Sequence, residues 1–126
     1  MSRLVTAIII FSVIIVGSSA SVMYVSHTEK LLQAQLDEII AAASNSDMQK
    51  AKECSEKFLE KWNDAETFFI MLIRHHNVDE ITKYTSRLTS YCDEQNRSDL
   101  LAEVNMIKTI LKRMSDDEKP TLKNFF

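Results

Sequence analysis

The hydrophobic and polar positions along the chain form two patterns, and the change between them falls near residue 25. No residue from Leu4 to Val25 is charged. At the rise of an α-helix this segment is about 30 Å long, the thickness of a bilayer core. Past residue 26, apolar residues recur at spacings of three and four, which is typical of amphipathic helices. The pattern predicts a short tail at 1–3, a transmembrane anchor at 4–25 and a helical domain at 26–126.

Small residues inside the apolar segment allow a second interpretation. Leu4 to Val16 has the length of a signal-peptide core, and Ser18-Ser19-Ala20 suits a cleavage site. Val22-Met23-Tyr24-Val25 then restores hydrophobicity, which favours an uncleaved anchor. In an anchor, small residues predict a contact face for another membrane helix. The candidates for this face are Gly17, Ser18, Ala20 and Ser21.

The flanks of the apolar segment bear on its orientation. Arg3 precedes it, whereas Glu29 and Lys30 follow it. A very short N-terminal tail before a long C-terminal domain is typical of a signal anchor whose tail stays inside. We therefore expect a single-pass protein of the cell membrane with its C-terminal domain outside the cytoplasm.

The domain past residue 26 contains four predicted helices. The first runs from about Thr28 to Ala43, and capping boxes at Ser46–Gln49 and Asn77–Glu80 open the second and third. Asn96 or Ser98 caps the fourth. The apolar faces, in chain order, are Leu32, Leu36, Ile39 and Ala43; Cys54, Phe58, Trp62, Ala65, Phe69 and Leu72; Val78, Ile81, Thr85, Leu88 and Cys92; and Leu101, Val104, Ile107 or Lys108, Leu111 and Met114.

Short connections make neighbouring helices antiparallel. The expected fold class is all-α, with an N-terminal transmembrane helix followed by an antiparallel bundle of about four helices. The stalk that carries the bundle is expected to continue directly from the membrane helix.

Composition narrows the possible functions. The chain has one glycine and one proline, which argues against hairpin-rich β folds and phosphate-binding glycine loops. Past residue 25 there are 14 basic residues (15 less Arg3) against 18 acidic ones. Nucleic acid requires a concentrated basic face, so we expect no nucleic-acid partner.

The bundle geometry predicts a candidate interaction patch. The first helix leads away from the bilayer and the second returns, so the second should end near the lipid surface. Its last residues include six consecutive apolar positions, more than one helical face holds. They form either a helix buried among three neighbours or a patch that contacts lipid or another membrane protein. With the chain end that the fourth helix brings back, the candidates are Phe68, Phe69, Ile70, Met71, Ile73, Phe125 and Phe126.

Candidate chemistry is sparse. His75 and His76 precede two acids, but adjacent histidines on a helix point in different directions, unlike converging zinc ligands. Counting from the turn near His76 puts Cys54 and Cys92 roughly 10 Å out of level, so buried free thiols are expected. No sequence pattern indicates a nucleophile with its base, and we expect no catalytic residue, no cofactor, no metal and no enzyme activity.

The tail MIKTILKRMSDDEKPTLKNFF resembles the ending of a family of small membrane-anchored bacterial proteins that carry a domain of unknown function. Members also share a hydrophobic N-terminus, a mid-chain tryptophan and a histidine before the acids of the next helix. The matching positions are Trp62, His76, Asp79, Glu80 and Leu122-Lys123-Asn124-Phe125. The resemblance implies a helical fold in the bacterial envelope, and it implies no activity.

The sequence thus leads to a functional hypothesis. The chain is expected to be a non-enzymatic single-pass protein, an interaction or accessory subunit of an envelope or membrane complex. Its expected partners are the lipid bilayer and another membrane or envelope protein, with no small-molecule substrate. The alternatives are a ligand-sensing helical ectodomain and a cleaved, secreted helical protein.

Overall fold

The computed structural model describes the backbone of residues 2–72 and 75–125, and the side chains of those ranges apart from residues 72, 75 and 117–125. Within this part of the chain there are five helices and no strand. They are α1 (Ser2–Ser44), α2 (Met48–Leu72), α3 (His75–Thr85), α4 (Leu88–Asp93) and α5 (Arg97–Phe125). The predicted all-α bundle with an N-terminal apolar helix is confirmed.

The apolar segment and the first bundle helix form one continuous helix. α1 has 43 residues, which corresponds to about 64 Å. Residues 2–14 are exposed throughout, whereas Val25 is buried against the bundle. The bundle therefore begins at the last residue of the uncharged segment, and no linker separates the two.

The third predicted helix is two helices, so this part of the prediction was wrong. The chain turns at Ser86 and Arg87, where the Ser86 hydroxyl donates to the carbonyl of Lys83 at 2.7 Å. The Arg87 N–H bonds the Tyr84 carbonyl, three residues back, in place of the α-helical spacing of four. A side chain that competes for backbone carbonyls, together with a tighter turn, breaks a helix without proline or glycine.

The third helix also begins earlier than expected. α3 starts at His75, so Asn77 lies inside it and is buried instead of capping it. The earlier start changes the level of the cysteines, because Cys54 lies 18 residues before the end of α2 and Cys92 lies 17 after the start of α3. The Ser55 hydroxyl is 3.9 Å from the Cys92 sulfur. The expected offset of roughly 10 Å was therefore wrong, while both cysteines are free and buried.

The turn after α1 and the turn after α4 have the same backbone conformation and hydrogen-bond pattern. Ser46 (φ 59°) follows α1 and Gln95 (φ 56°) follows α4, each in the left-handed region. In both turns the N–H of this residue bonds the carbonyl three residues back, and the next N–H bonds the carbonyl five residues back, at 2.8–3.1 Å. This is the Schellman arrangement, which satisfies the last carbonyls of a helix.

The residue after each left-handed position caps the next helix. The Asp47 carboxylate accepts the N–H of Lys50 at 3.1 Å, so Asp47 and not Ser46 is the N-cap of α2. The Asn96 side chain accepts the N–H of Asp99 at 3.2 Å and donates to its carboxylate at 2.7 Å. Of the two predicted caps of the last helix, Asn96 is the one used.

The core lies between α1, α2 and the three later helices. The predicted apolar faces are buried wherever the structure describes their side chains, which leaves out Leu72, although Leu100 replaces the half-buried Leu101 at the start of α5. Trp62, in the middle of α2, is completely buried and its ring centroid lies 5.6 Å from that of Phe69. Side chains of this size dominate the energetics of a core.

Candidate membrane-proximal site

The end of α2 lies against α1 where the uncharged segment ends. The Tyr24 ring centroid is 4.2 Å from that of Phe68 and 6.3 Å from that of Phe69. A groove of about 180 Å³ runs from Tyr24 between the two helices, in the direction away from the uncharged segment, and its lining includes Thr28 and Asp64. The residue numbers of the contacting pair Tyr24 and Phe68 add to 92, as do those of Ser44 and Met48 at the turn between the two helices, which sets the antiparallel register. The backbone of the last α2 residue is then level with residue 20 of α1.

The structure divides the predicted interaction patch. Phe69 is 1% exposed and belongs to the core, so it is not available to a partner, and Ile70 packs partly against the core. Phe68 and Met71 are exposed, Met71 by 78%. Ile73 and Phe126 lie outside the described residues, as does the side chain of Phe125.

Two residues of α1 extend the exposed part of this surface. Met23 is 72% and Tyr24 38% exposed, at the level of the α2 end. We define the membrane-proximal apolar patch as Met23, Tyr24, Phe68 and Met71, which share this level, with Met23 about 200° around α1 from the buried Val25 and so on the side away from the bundle. The sequence interpretation left Met23 and Tyr24 out of the patch, although their position at the end of the uncharged segment was a usable signal.

The predicted small-residue face is open over most of its area. Gly17, Ser18 and Ala20 are exposed and Ser21 is half-buried. A Cβ built on Gly17 would meet nothing within 4 Å. The Ser21 hydroxyl donates to the Gly17 carbonyl at 2.9 Å, so its polarity is satisfied inside the helix. Such a face allows close approach of a second helix in a membrane.

A hydrogen-bond chain supports the core just above the patch. The buried Trp62 indole N–H donates to the Thr82 hydroxyl at 3.0 Å, and that hydroxyl donates to the Glu66 carboxylate at 3.0 Å. Because α2 supplies two of these residues and α3 the third, the chain ties the helices together where α2 approaches α1.

A polar groove of about 460 Å³ separates part of α1 from α5. The Gln33 amide donates to the Lys108 carbonyl at 2.9 Å and to the Glu29 carboxylate at 3.1 Å, and the Lys108 ammonium pairs with Asp37. The groove wall includes acids as well as lysines. This mixture of charge does not select a ligand of one sign.

The titratable groups of the described region show little that could perform chemistry. No three His, Cys, Asp or Glu side chains there converge as metal ligands would. The exposed His76 ring lies 3.1 Å from the Glu80 carboxylate one helical turn away. Burial raises the pKa of the Cys54 and Cys92 thiols, which keeps them in the poorly nucleophilic protonated form at neutral pH.

Comparison with known protein families gives a match over most of the chain. The model of a family described as a domain of unknown function (DUF4363) matches residues 19–125. No curated protein and no solved structure matches the chain. The matched segment begins within the small-residue face, so it covers the bundle and leaves out most of the exposed apolar part of α1. In the described chain, α1 alone is long and apolar enough to cross a membrane, a property that signal sequences share.

Proposed function

The chain belongs to the DUF4363 family, a domain of unknown function, and we propose that it is a non-enzymatic single-pass membrane protein. In this proposal α1 anchors the chain in the bilayer, and the bundle is an accessory subunit of a membrane or envelope complex. Arg3 ahead of the apolar segment supports an orientation with the bundle outside the cytoplasm.

The observation that carries the proposal is the exposure of the apolar half of α1. It contains an 18-residue stretch of which no residue is buried within the chain. Exposed apolar area of this size is strongly unfavourable in water, and each large side chain would gain about 1.5–3 kcal/mol from burial. A bilayer supplies that burial along the whole stretch.

An anchor explains the structure better than a cleaved signal. Cleavage near Ala20 would release a protein that exposes Met23, Phe68 and Met71 together at one end. Exposed apolar side chains that gather at one end of a domain favour a surface that contacts a partner or a membrane. An anchored chain holds the same end at the membrane surface.

The proposed contact with a partner protein is the small-residue face of α1. The open space at Gly17 and the internally satisfied Ser21 hydroxyl suit a second transmembrane helix. Helix association in membranes depends on such close approach, because lipid tails are as apolar as leucine and give no hydrophobic drive.

Co-purification in mild detergent tests the partner contact. Gly17→Leu and Ala20→Leu fill the face, whereas Ser12→Leu adds the same bulk on another side of the exposed segment. We expect a protein that co-purifies with the wild-type chain to be lost from the first two variants and kept by Ser12→Leu. Unchanged partners in all three variants would refute the contact.

Mass spectrometry of the N-terminus tests the anchor itself. We expect the mature chain in the membrane fraction to retain residues 4–20. A mature chain that begins near Ser21 would overturn the anchor and with it the proposed function.

A further inference from the structure

We infer that the end of α2 is a second membrane contact, in which the membrane-proximal apolar patch inserts into the phospholipid layer that surrounds α1. The occupant of the patch is lipid at the boundary between headgroups and acyl chains. The inference rests on the anchor proposed above, and it adds a fixed position of the bundle against the bilayer.

The register between α1 and α2 sets the depth. Tyr24 lies beside Phe68, and α2 continues for four more residues to Leu72. The backbone of α2 therefore ends level with Ala20, five residues below Val25, or about 7.5 Å along the helix axis. An anchor at 4–25 places this level inside the bilayer, at the depth of about 5–10 Å that interfacial helices reach.

Charged residues stop at the same height on both helices. α1 has no Asp, Glu, Lys, Arg or His between Arg3 and His27. α2 has none in the six residues after Glu66, and the register puts Glu66 level with Ser26. Two helices with no local sequence relationship thus change from charged to uncharged at one plane, as expected for a surface that meets a bilayer.

The residues at this plane are the kinds that membrane interfaces favour. The groove just above the patch is lined by His27 and Lys61, at the height of lipid headgroups. Tyr24 lies below them with its ring against Phe68, and tyrosine suits a position with one apolar and one wet side. Met71 is the most exposed member of the patch.

α3 limits the depth of insertion. Asp79 and His76 are exposed near the start of α3, and His76 pairs with Glu80 there. Charged groups are costly in the acyl region and α3 begins three residues after α2 ends, so the end of α2 goes no deeper than the boundary between headgroups and acyl chains. Insertion is shallow, and a protein partner on this patch is the competing outcome.

Fluorescence quenching by depth tests the inference. The full chain, with Cys54→Ala and Cys92→Ala, carries one environment-sensitive fluorophore at Met71→Cys, Ile14→Cys or Gln49→Cys. Each protein is placed in vesicles of phosphatidylcholine and phosphatidylglycerol that contain lipids with a nitroxide near the headgroup or deep in the acyl chain. Circular dichroism checks that each labelled chain keeps its helicity.

Each label has a distinct expected result. The Met71 label should be quenched several-fold more by the shallow nitroxide than by the deep one, and the Ile14 label should show the reverse. The Gln49 label, at the other end of α2, should be quenched by neither. Quenching at Ile14 without quenching at Met71 would overturn the second contact and leave the anchor intact.

Two further outcomes separate the remaining alternatives. An Ile14 label that neither nitroxide quenches would overturn the anchor and the proposed function together. A Met71 label that is shielded from an aqueous quencher, unquenched by lipid and sensitive to dilution with unlabelled chain would show a second copy on the patch, and would overturn the inference.

Discussion

Ser46 and Gln95 hold a positive φ although neither is glycine. A left-handed backbone costs a side-chain-bearing residue of order 1 kcal/mol or more, because its Cβ approaches the backbone. Both side chains are exposed, so nothing in the core requires either of them. A substitution that relieves the backbone strain at either turn should therefore leave the core unchanged.

We predict that Ser46→Gly and Gln95→Gly each raise the free energy of unfolding by about 0.5–1 kcal/mol, because glycine adopts this conformation freely. Denaturant unfolding of the full chain in mild detergent, followed by circular dichroism, measures the change. Glu94→Gly is the matched control. Since Glu94 has φ −80°, glycine there should only add unfolded-state entropy and destabilise the chain. A loss of stability in all three variants would contradict the prediction.

The buried thiols make the free energy of unfolding depend on pH at alkaline values. Burial raises the pKa of Cys54 and, against the opposing hydrogen bond from Ser55, that of Cys92. In the unfolded chain a thiol ionises at its ordinary pKa of about 8.5. Between that pKa and the raised pKa of the folded state, the unfolded chain binds fewer protons than the folded one, so the stabilisation is complete below the first pKa and is lost as pH rises through the second.

We predict that the free energy of unfolding falls as pH rises above about 8.5, the ordinary pKa of a thiol. The Cys54→Ala, Cys92→Ala chain should show a flatter dependence over the same range. Unfolding curves at several pH values for both proteins measure the difference, and lysine and tyrosine titration cancels in the comparison. Identical slopes would show that the thiols are not responsible.

Residue-scale detail could be predicted only in part from the sequence. The pattern Ser46-Asp47 offers two residues able to cap α2, and only Ser46, with Gln49 three residues later, completes the sequence of a capping box. The left-handed turn that closes α1 takes Ser46 for itself and leaves Asp47 as the cap. This choice depends on where the previous helix ends, which the local motif does not encode.

At the scale of helices, the chain from Trp62 through Thr82 to Glu66 connects α2 with α3. A completely buried indole N–H that loses its acceptor costs about 1–3 kcal/mol, since nothing replaces the lost hydrogen bond. The Thr82 hydroxyl therefore contributes to the free energy of unfolding by satisfying the Trp62 N–H.

We predict that Thr82→Val lowers the free energy of unfolding by about 1–3 kcal/mol, because valine keeps the shape of threonine and removes the acceptor of the Trp62 N–H. Thr82→Ser, which keeps the hydroxyl, should retain most of the stability. Unfolding monitored by circular dichroism avoids relying on the perturbed Trp62 as the reporter. Equal losses in the two variants would show that the methyl group and not the hydroxyl matters.

The apolar periodicity of the sequence could not predict the break between α3 and α4. The buried positions Thr85 and Leu88 keep the helical spacing of three across the turn, so the apolar pattern is continuous where the backbone is not. The cause is the Ser86 hydroxyl bonding a carbonyl of the preceding turn. Serine makes this bond in some helices without breaking them, so its presence alone is not predictive.

At the scale of the whole molecule, helix lengths and short turns were sufficient to predict the return of α2 to the end of the apolar segment. The contact between Tyr24 and Phe68 shows that α2 returns to this level. The division of the patch was predictable in part. Spacings of three and four place Phe69 on the apolar face with Trp62 and Ala65 and leave Phe68 off it, and the structure shows that Phe69 is buried while Phe68 is exposed.

The unbroken course of α1 has a consequence for direction as well as distance. Each helical residue turns the chain by about 100°, and no linker lies between Gly17 and Val25 to absorb a twist. The azimuth of the bundle is therefore locked to that of the small-residue face. A helix that docks on Gly17 would therefore always meet the bundle in the same rotational orientation. Any rotation of α1 inside the membrane would rotate the whole bundle by the same angle.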